Sequence, residues 1–127
     1  MRLALDTNRY RDIADAVPET ADVMGRATEV IVPFATLAEP HHGFRYGSRR
    51  AENERRLRLF LLQPIVRIRY ADANTVTIWS DLAVDLQRRG FILPHNDLWI
   101  AALCVQHGLS LYMRDAHFDH LPQVIRA

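Results

Sequence analysis

The sequence predicts an α/β fold of three layers, a sandwich with helices on both faces of a mainly parallel central sheet of four or five strands. Short apolar, β-branched runs alternate with helical stretches along the chain, the pattern of parallel strands joined by helical crossovers. Two of those runs, Leu3-Ala4-Leu5-Asp6 and Leu109-Ser110-Leu111-Tyr112-Met113-Arg114-Asp115, end abruptly in an acid. A length of 127 residues, 49% of them hydrophobic and 24% charged, is enough for one domain, 1–127, with a sizeable core; no linker, repeat or low-complexity tract divides it.

Each element has its own signal. Arg2 to Leu5 reads as the first strand, and Asn8 to about Thr28 as one or two helices broken near Pro18. Glu29 to Pro33 is the second strand, brief and β-branched. A helix is predicted from Thr36 through Tyr46, and Ser48 opens another, with Leu57, Phe60 and Leu61 on its inner face and Glu52–Arg56 and Glu54–Arg58 pairs expected at i,i+4 spacing. Ile65 to Tyr70 alternates as a third strand. Asn74 to Arg89 carries Trp79, Leu82 and Leu86 on one helical stripe until Gly90 stops it. Pro94, His95 and Asn96 signal the start of a helix over Asp97 to Gln106, apolar on almost every side and ended by Gly108. Leu109 to Met113 is the fourth strand, and Val124-Ile125 a short edge.

The composition narrows the function. No apolar stretch approaches the roughly 18 residues of a spanning helix and the N-terminus lacks a secretory pattern, so a cytoplasmic protein with no membrane partner is expected. The only cysteine, Cys104, falls in an apolar helix and reads as a small hydrophobe. Net charge is +1, yet all 16 basic residues are arginine; six of them (45, 49, 50, 55, 56, 58) crowd one segment against Glu52 and Glu54. Arg45, Arg49 and Arg50 are the candidate contacts to a nucleic-acid backbone, which the resemblance given below would make RNA, and a solvated helix face laced with ion pairs is the competing reading. His41-His42 and His117 with His120 lack the placement of a zinc site and read as surface or packing residues.

Asp6, Glu39, Asp97 and Asp115 are the candidate site acids. In a parallel sheet ligands bind beyond the carboxyl ends of the strands, which places Asp6 and Asp115 at one sheet edge. Each acid also has a plain structural role open to it: Asp6 and Asp115 as helix caps, Glu39 as a solvated helix acid. Asp97 in a first helical turn would gain about 0.3–1 kcal/mol from the macrodipole. Four converging carboxylates would repel one another unless a divalent cation neutralised them, and hard oxygen ligands select Mg²⁺ or Mn²⁺ over zinc.

Leu5-Asp6-Thr7-Asn8, Thr36-Leu37-Ala38-Glu39 with Gly43, Asp97-Leu98-Trp99-Ile100-Ala101-Ala102 and Arg114-Asp115-Ala116-His117-Phe118 resemble, in order and spacing, the four motifs of the PIN-domain family, in particular its VapC-type toxin ribonucleases. Met113 stands where that family commonly has Thr or Ser, and Pro40 where it more often has Leu. The resemblance implies a PIN-like fold and a metal-dependent endoribonuclease with Asp6, Glu39, Asp97 and Asp115 as catalytic acids. Asp6, Asp97 and Asp115 would ligate Mg²⁺ or Mn²⁺, with Glu39 acting directly or through water. It implies a VapB-type antitoxin partner, a homodimer, and RNA products with 5′-phosphate and 3′-hydroxyl ends. Met113 and Pro40 favour the alternative, a PIN fold kept as an antitoxin- or RNA-binding module.

Overall fold

The computed structural model describes residues 1–114 and 116–127. The chain runs β1 (Arg2–Leu5), α1 (Thr7–Ala14), α2 (Pro18–Arg26), β2 (Glu29–Pro33), α3 (Phe34–Phe44), α4 (Arg50–Leu61), β3 (Val66–Arg69), α5 (Ala73–Arg88), α6 (His95–His107), β4 (Ser110–Tyr112), a 3₁₀ turn (Ala116–His120) and β5 (Ile125–Arg126). The five strands form one sheet in the order β3-β2-β1-β4-β5, and every pairing is parallel.

That order follows from the crossovers. The chain begins in the middle of the sheet, steps outward through β2 to β3, and then returns across α5 and α6 to lay β4 on the free side of β1, Leu5 facing Tyr112. The direction of winding therefore reverses between β1 and β4.

Alternation along the strands supplies two cores. Ala4, Ile31 and Leu111 point to the side of α5, α6 and the 3₁₀ turn, where they meet Leu82, Leu86, Leu98, Ala101 and Phe118. Leu3, Leu5, Val30, Val32 and Tyr112 point to the other side, against Tyr10 of α1 and Leu57 and Phe60 of α4. Helix α3 serves both, Ala35 reaching the first core and Leu37 and Phe44 the second. Strands buried on both faces read as continuous apolar runs, which is why β1 and β2 were plain in the sequence.

The boundaries differ from expectation where caps decide them. The expected break near Pro18 is present as two helices, with Pro18 opening α2, a position where its missing N–H costs nothing. Helix α3 starts at Phe34, directly from Pro33, and continues through the buried Pro40. Helix α6 starts at His95, so Asp97 is its third residue, and Gly108 ends it in the left-handed conformation (φ 63°). Among the described residues no helix is long and apolar enough to cross a membrane.

Candidate functional site

Asp6 stands where β1 ends, at the point between β1 and β4 where the winding reverses, the place at which parallel sheets open a crevice beyond their carboxyl ends. Its backbone N–H donates to the Tyr112 carbonyl (3.1 Å), extending the β1–β4 ladder by one rung. Its carboxylate Oδ1 accepts from the Thr7 N–H at 2.7 Å, and its carbonyl accepts from the amides of Arg9 and Tyr10. The acid is only 4% exposed. The helix-cap reading of Asp6 is thus correct, and it coexists with placement at the crevice.

Asp97 reaches the same edge by another route. Helix α6 passes into β4 through Gly108 and Leu109, so it runs against the strands and its first turn lies at their carboxyl ends. Asp97 Oδ2 lies 2.8 Å from Nδ1 of His117 in the 3₁₀ turn, and its side chain is 16% exposed. An ionised Asp97 accepts from the Nδ1–H tautomer of that ring. His117 is therefore a partner of a site acid, a role its sequence position did not reveal.

Glu39 sits further out. Thr36, one turn earlier on the same face of α3, donates its hydroxyl to the Leu5 carbonyl at 2.8 Å and ties that helix to the end of β1. Glu39 itself is exposed and lines a cavity of about 350 Å³ between α1, α3 and α4 with Tyr10, Arg11, Asp15 and Arg56. The expectation for Asp115 lies outside the described residues. Among the described residues no group of three or more His, Cys, Asp or Glu side chains gathers closely enough to hold a metal ion.

The donors present suit a hard divalent cation. Asp6 and Asp97 offer carboxylate oxygens that are largely withdrawn from water, where a cation offsets the cost of burying their charge.

Beside these acids is a charged brace. Asp12, buried on α1, meets Arg9 Nη1 through Oδ2 and Arg114 Nη2 through Oδ1, each at 3.2 Å. Arg9 also reaches Glu19 at 3.0 Å, and its guanidinium lies over the Tyr112 ring, 4.3 Å from the centroid. Burial opposes the charge on Arg9, but the Glu19 bond, the Tyr112 ring and the Asp12 bond outweigh it, so its pKa is raised. The only advance signal of this brace was the i,i+3 spacing of Arg9 and Asp12.

The arginine-rich segment forms neither of the expected pairs, Glu52–Arg56 and Glu54–Arg58. Glu52 is taken by Arg49 (2.6 Å) and Glu54 by Arg50 (2.9 Å), while Arg56 turns away to the Ala14 carbonyl. Both glutamates pair with the arginine on their N-terminal side, and for Glu52 the alternative, Arg56, is engaged by the Ala14 carbonyl. Of the three candidate RNA contacts, Arg45 alone enters no ion pair among the described residues.

Comparison with known proteins agrees with this architecture. The family model described as PIN domain matches residues 4–124. Ribonuclease VapC2 of Rickettsia felis is 21% identical over 112 residues, covering 87% of this chain and 82% of that protein. Two solved structures superpose over the full chain: VapBC2 of Rickettsia felis bound to a promoter DNA fragment (TM-score 0.86, 21% identity, 98% of that chain) and VapBC-1 of nontypeable Haemophilus influenzae (TM-score 0.88, 20% identity, 97% of that chain).

Proposed function

This chain belongs to the PIN-domain family, and we propose on that footing that it is a Mg²⁺- or Mn²⁺-dependent endoribonuclease, the toxin of a VapBC-type toxin–antitoxin pair. The observation that carries the reading is the placement of Asp6 at the end of β1 and of Asp97 in the first turn of α6, both at the carboxyl edge of an all-parallel sheet whose winding reverses between β1 and β4. The ribonuclease name of the Rickettsia felis relative and the VapBC assemblies of the solved structures supply the substrate class and the kind of partner.

Asp6, Asp97 and Asp115 would hold the cation, with Glu39 acting directly or through water. When bound, it supplies Lewis-acid stabilisation of the phosphodiester and an activated water for in-line attack. The chain's own contribution is orientation. Asp6 is fixed at the sheet edge by the Thr7 amide and by its own N–H on Tyr112; Asp97 is aimed by His117. Attack by water leaves 5′-phosphate and 3′-hydroxyl ends. The working species is a cytoplasmic homodimer silenced by a VapB-type antitoxin.

The test is cleavage of defined RNAs and of total cellular RNA by the partner-free chain in Mg²⁺, Mn²⁺ or EDTA, beside Asp97→Asn. Cutting should need metal, fall in Asp97→Asn to the EDTA background, and yield 5′-phosphate ends. Products with 2′,3′-cyclic phosphate would overturn the water route. A folded chain that cuts nothing with either metal would overturn the nuclease in favour of the binding module. Met113, half-buried against the core behind the 3₁₀ turn, would then be the first residue to exchange for Thr.

A further inference from the structure

We propose that Arg114, braced by the buried carboxylate of Asp12, and Arg126 across the same cavity form a phosphate-binding cleft that holds the RNA strand beside the acid site. The inference rests on the RNA reading above and names residues for it that lie apart from the arginine-rich segment.

The argument begins with position. Arg114 leaves β4 two residues after Tyr112, whose carbonyl accepts the Asp6 amide, so its backbone stands next to the site acid. Arg126 belongs to β5, which pairs with β4, Leu111 facing Arg126. Both side chains line a cavity of about 360 Å³ with Met113 and Asp119 at that end of the sheet.

Their anchoring matters as much as their place. Arg114 gives Nη2 to Asp12, and Arg126 gives Nη2 to Asp119. A guanidinium carries five N–H donors in a rigid fork, so a single carboxylate contact leaves donors for a phosphate while restricting the swing of a long side chain. Both arginines are about half exposed, 48% and 49% at the side chain, so the rest of each fork is open to a ligand. Asp12 is the firmer anchor, because it is itself held by Arg9, which is pinned on Tyr112.

The cleft also answers an electrostatic need. A strand approaching Asp6 and Asp97 brings phosphates towards carboxylates, and only the phosphate at the reacting bond would be covered by a bound cation. A neighbouring phosphate needs its own donors. Arg114, in the loop after β4, and Arg126, in β5, belong to the β4–β5 side of the sheet, on the far side of β1 from β2 and β3. Each of the two has a carboxylate partner, so free anions gain little there. The ligand is a phosphate already delivered by an RNA strand.

The experiment measures binding of a single-stranded RNA to the Asp97→Asn protein across a salt series. It compares that parent with added Arg114→Ala, Arg114→Lys, Arg126→Ala and, as control, Arg26→Ala at the opposite end of the sheet. Losing one charge-assisted phosphate contact should weaken binding about tenfold in Arg114→Ala. It should also lower the slope of log affinity against log salt by about 0.7. Arg114→Lys keeps the charge, so it should restore the slope and only part of the affinity. Arg126→Ala should lower the slope similarly, and Arg26→Ala should leave it unchanged. Equal affinity and slope in parent, Arg114→Ala and Arg126→Ala would overturn the cleft while leaving the nuclease standing. No RNA binding by the parent even at the lowest salt would overturn the nuclease reading, and this site with it.

Discussion

Cys104 lies 2% exposed in α6, and burial pushes its thiol pKa up to about 12. At pH 8 only about one molecule in ten thousand would then carry the thiolate, the reactive form. Labelling must therefore wait for the core to open, which should slow reaction with Ellman's reagent roughly 10³-fold or more relative to the denatured chain. One thiol per chain should appear at once in guanidinium. Rapid labelling of the native protein would mean that α6 is not packed as described, and Asp97 would lose its platform. The small-hydrophobe reading of Cys104 needed only the apolar run around it. Asp12 and His117 were not legible in that way, since their partners are distant in sequence: Arg114 lies in a loop after β4, and Asp97 is 20 residues before His117.

Helix α4 shows what an element adds to residue spacing. Its two pairs, Arg49–Glu52 and Arg50–Glu54, lie at the surface, where solvent and salt screen them and they contribute little to stability. They join neighbours on one helix, as expected of a solvated, ion-paired face. Replacing Arg49 and Arg50 with Gln should leave stability nearly unchanged and, on the reading of α4 as a solvated ion-paired face, leave the salt slope of RNA binding unchanged as well. A slope lower by about 1.4 in the double variant would instead assign α4 to the RNA path, two phosphates at about 0.7 each. Sequence spacing located an ion-paired face there but not its partners, because Glu52 has arginines within reach on both sides and the fold decides between them. Helix α5 shows the converse. Asp72 and Thr75 form a reciprocal capping box, and Gln106 of α6 joins it through a bond to Asp72 at 3.0 Å. The bonds from the Thr75 amide and Gln106 lower the Asp72 pKa, and they lock α5 to the helix that carries Asp97.

The whole molecule divides into a firm part, centred on β1, β2 and β4, and a loose one, the segment 116–126 that ends in the edge strand β5. Leu3, Ala4, Leu5, Val30, Ile31 and Val32 are fully buried, and their strands are flanked on both sides by other strands. Strand β5 is two residues long, lies on the sheet edge, and leaves Ile125 58% exposed. This contrast was legible in part: the central strands announce themselves as apolar runs, and the short edge expected at Val124-Ile125 is present one residue later, as β5, where the pairing with β4 fixes its bounds. Asp6 is thus fixed to the firm part, whereas His117 and Arg126 belong to a segment, 116–126, with little burial beyond Phe118, Leu121 and Val124. Amides of residues 3–5 and 30–32 should exchange only through global unfolding, protected by the full stability of about 5–15 kcal/mol. Those of the 116–126 segment should open locally and exchange at least about 10³-fold faster. Binding of RNA to the Asp97→Asn protein should then slow exchange across 116–126 and leave residues 3–5 as they were, because only the loose part has stability to gain from a phosphate on Arg126. Uniform protection of both segments before RNA is added would refute the division and make the site rigid throughout.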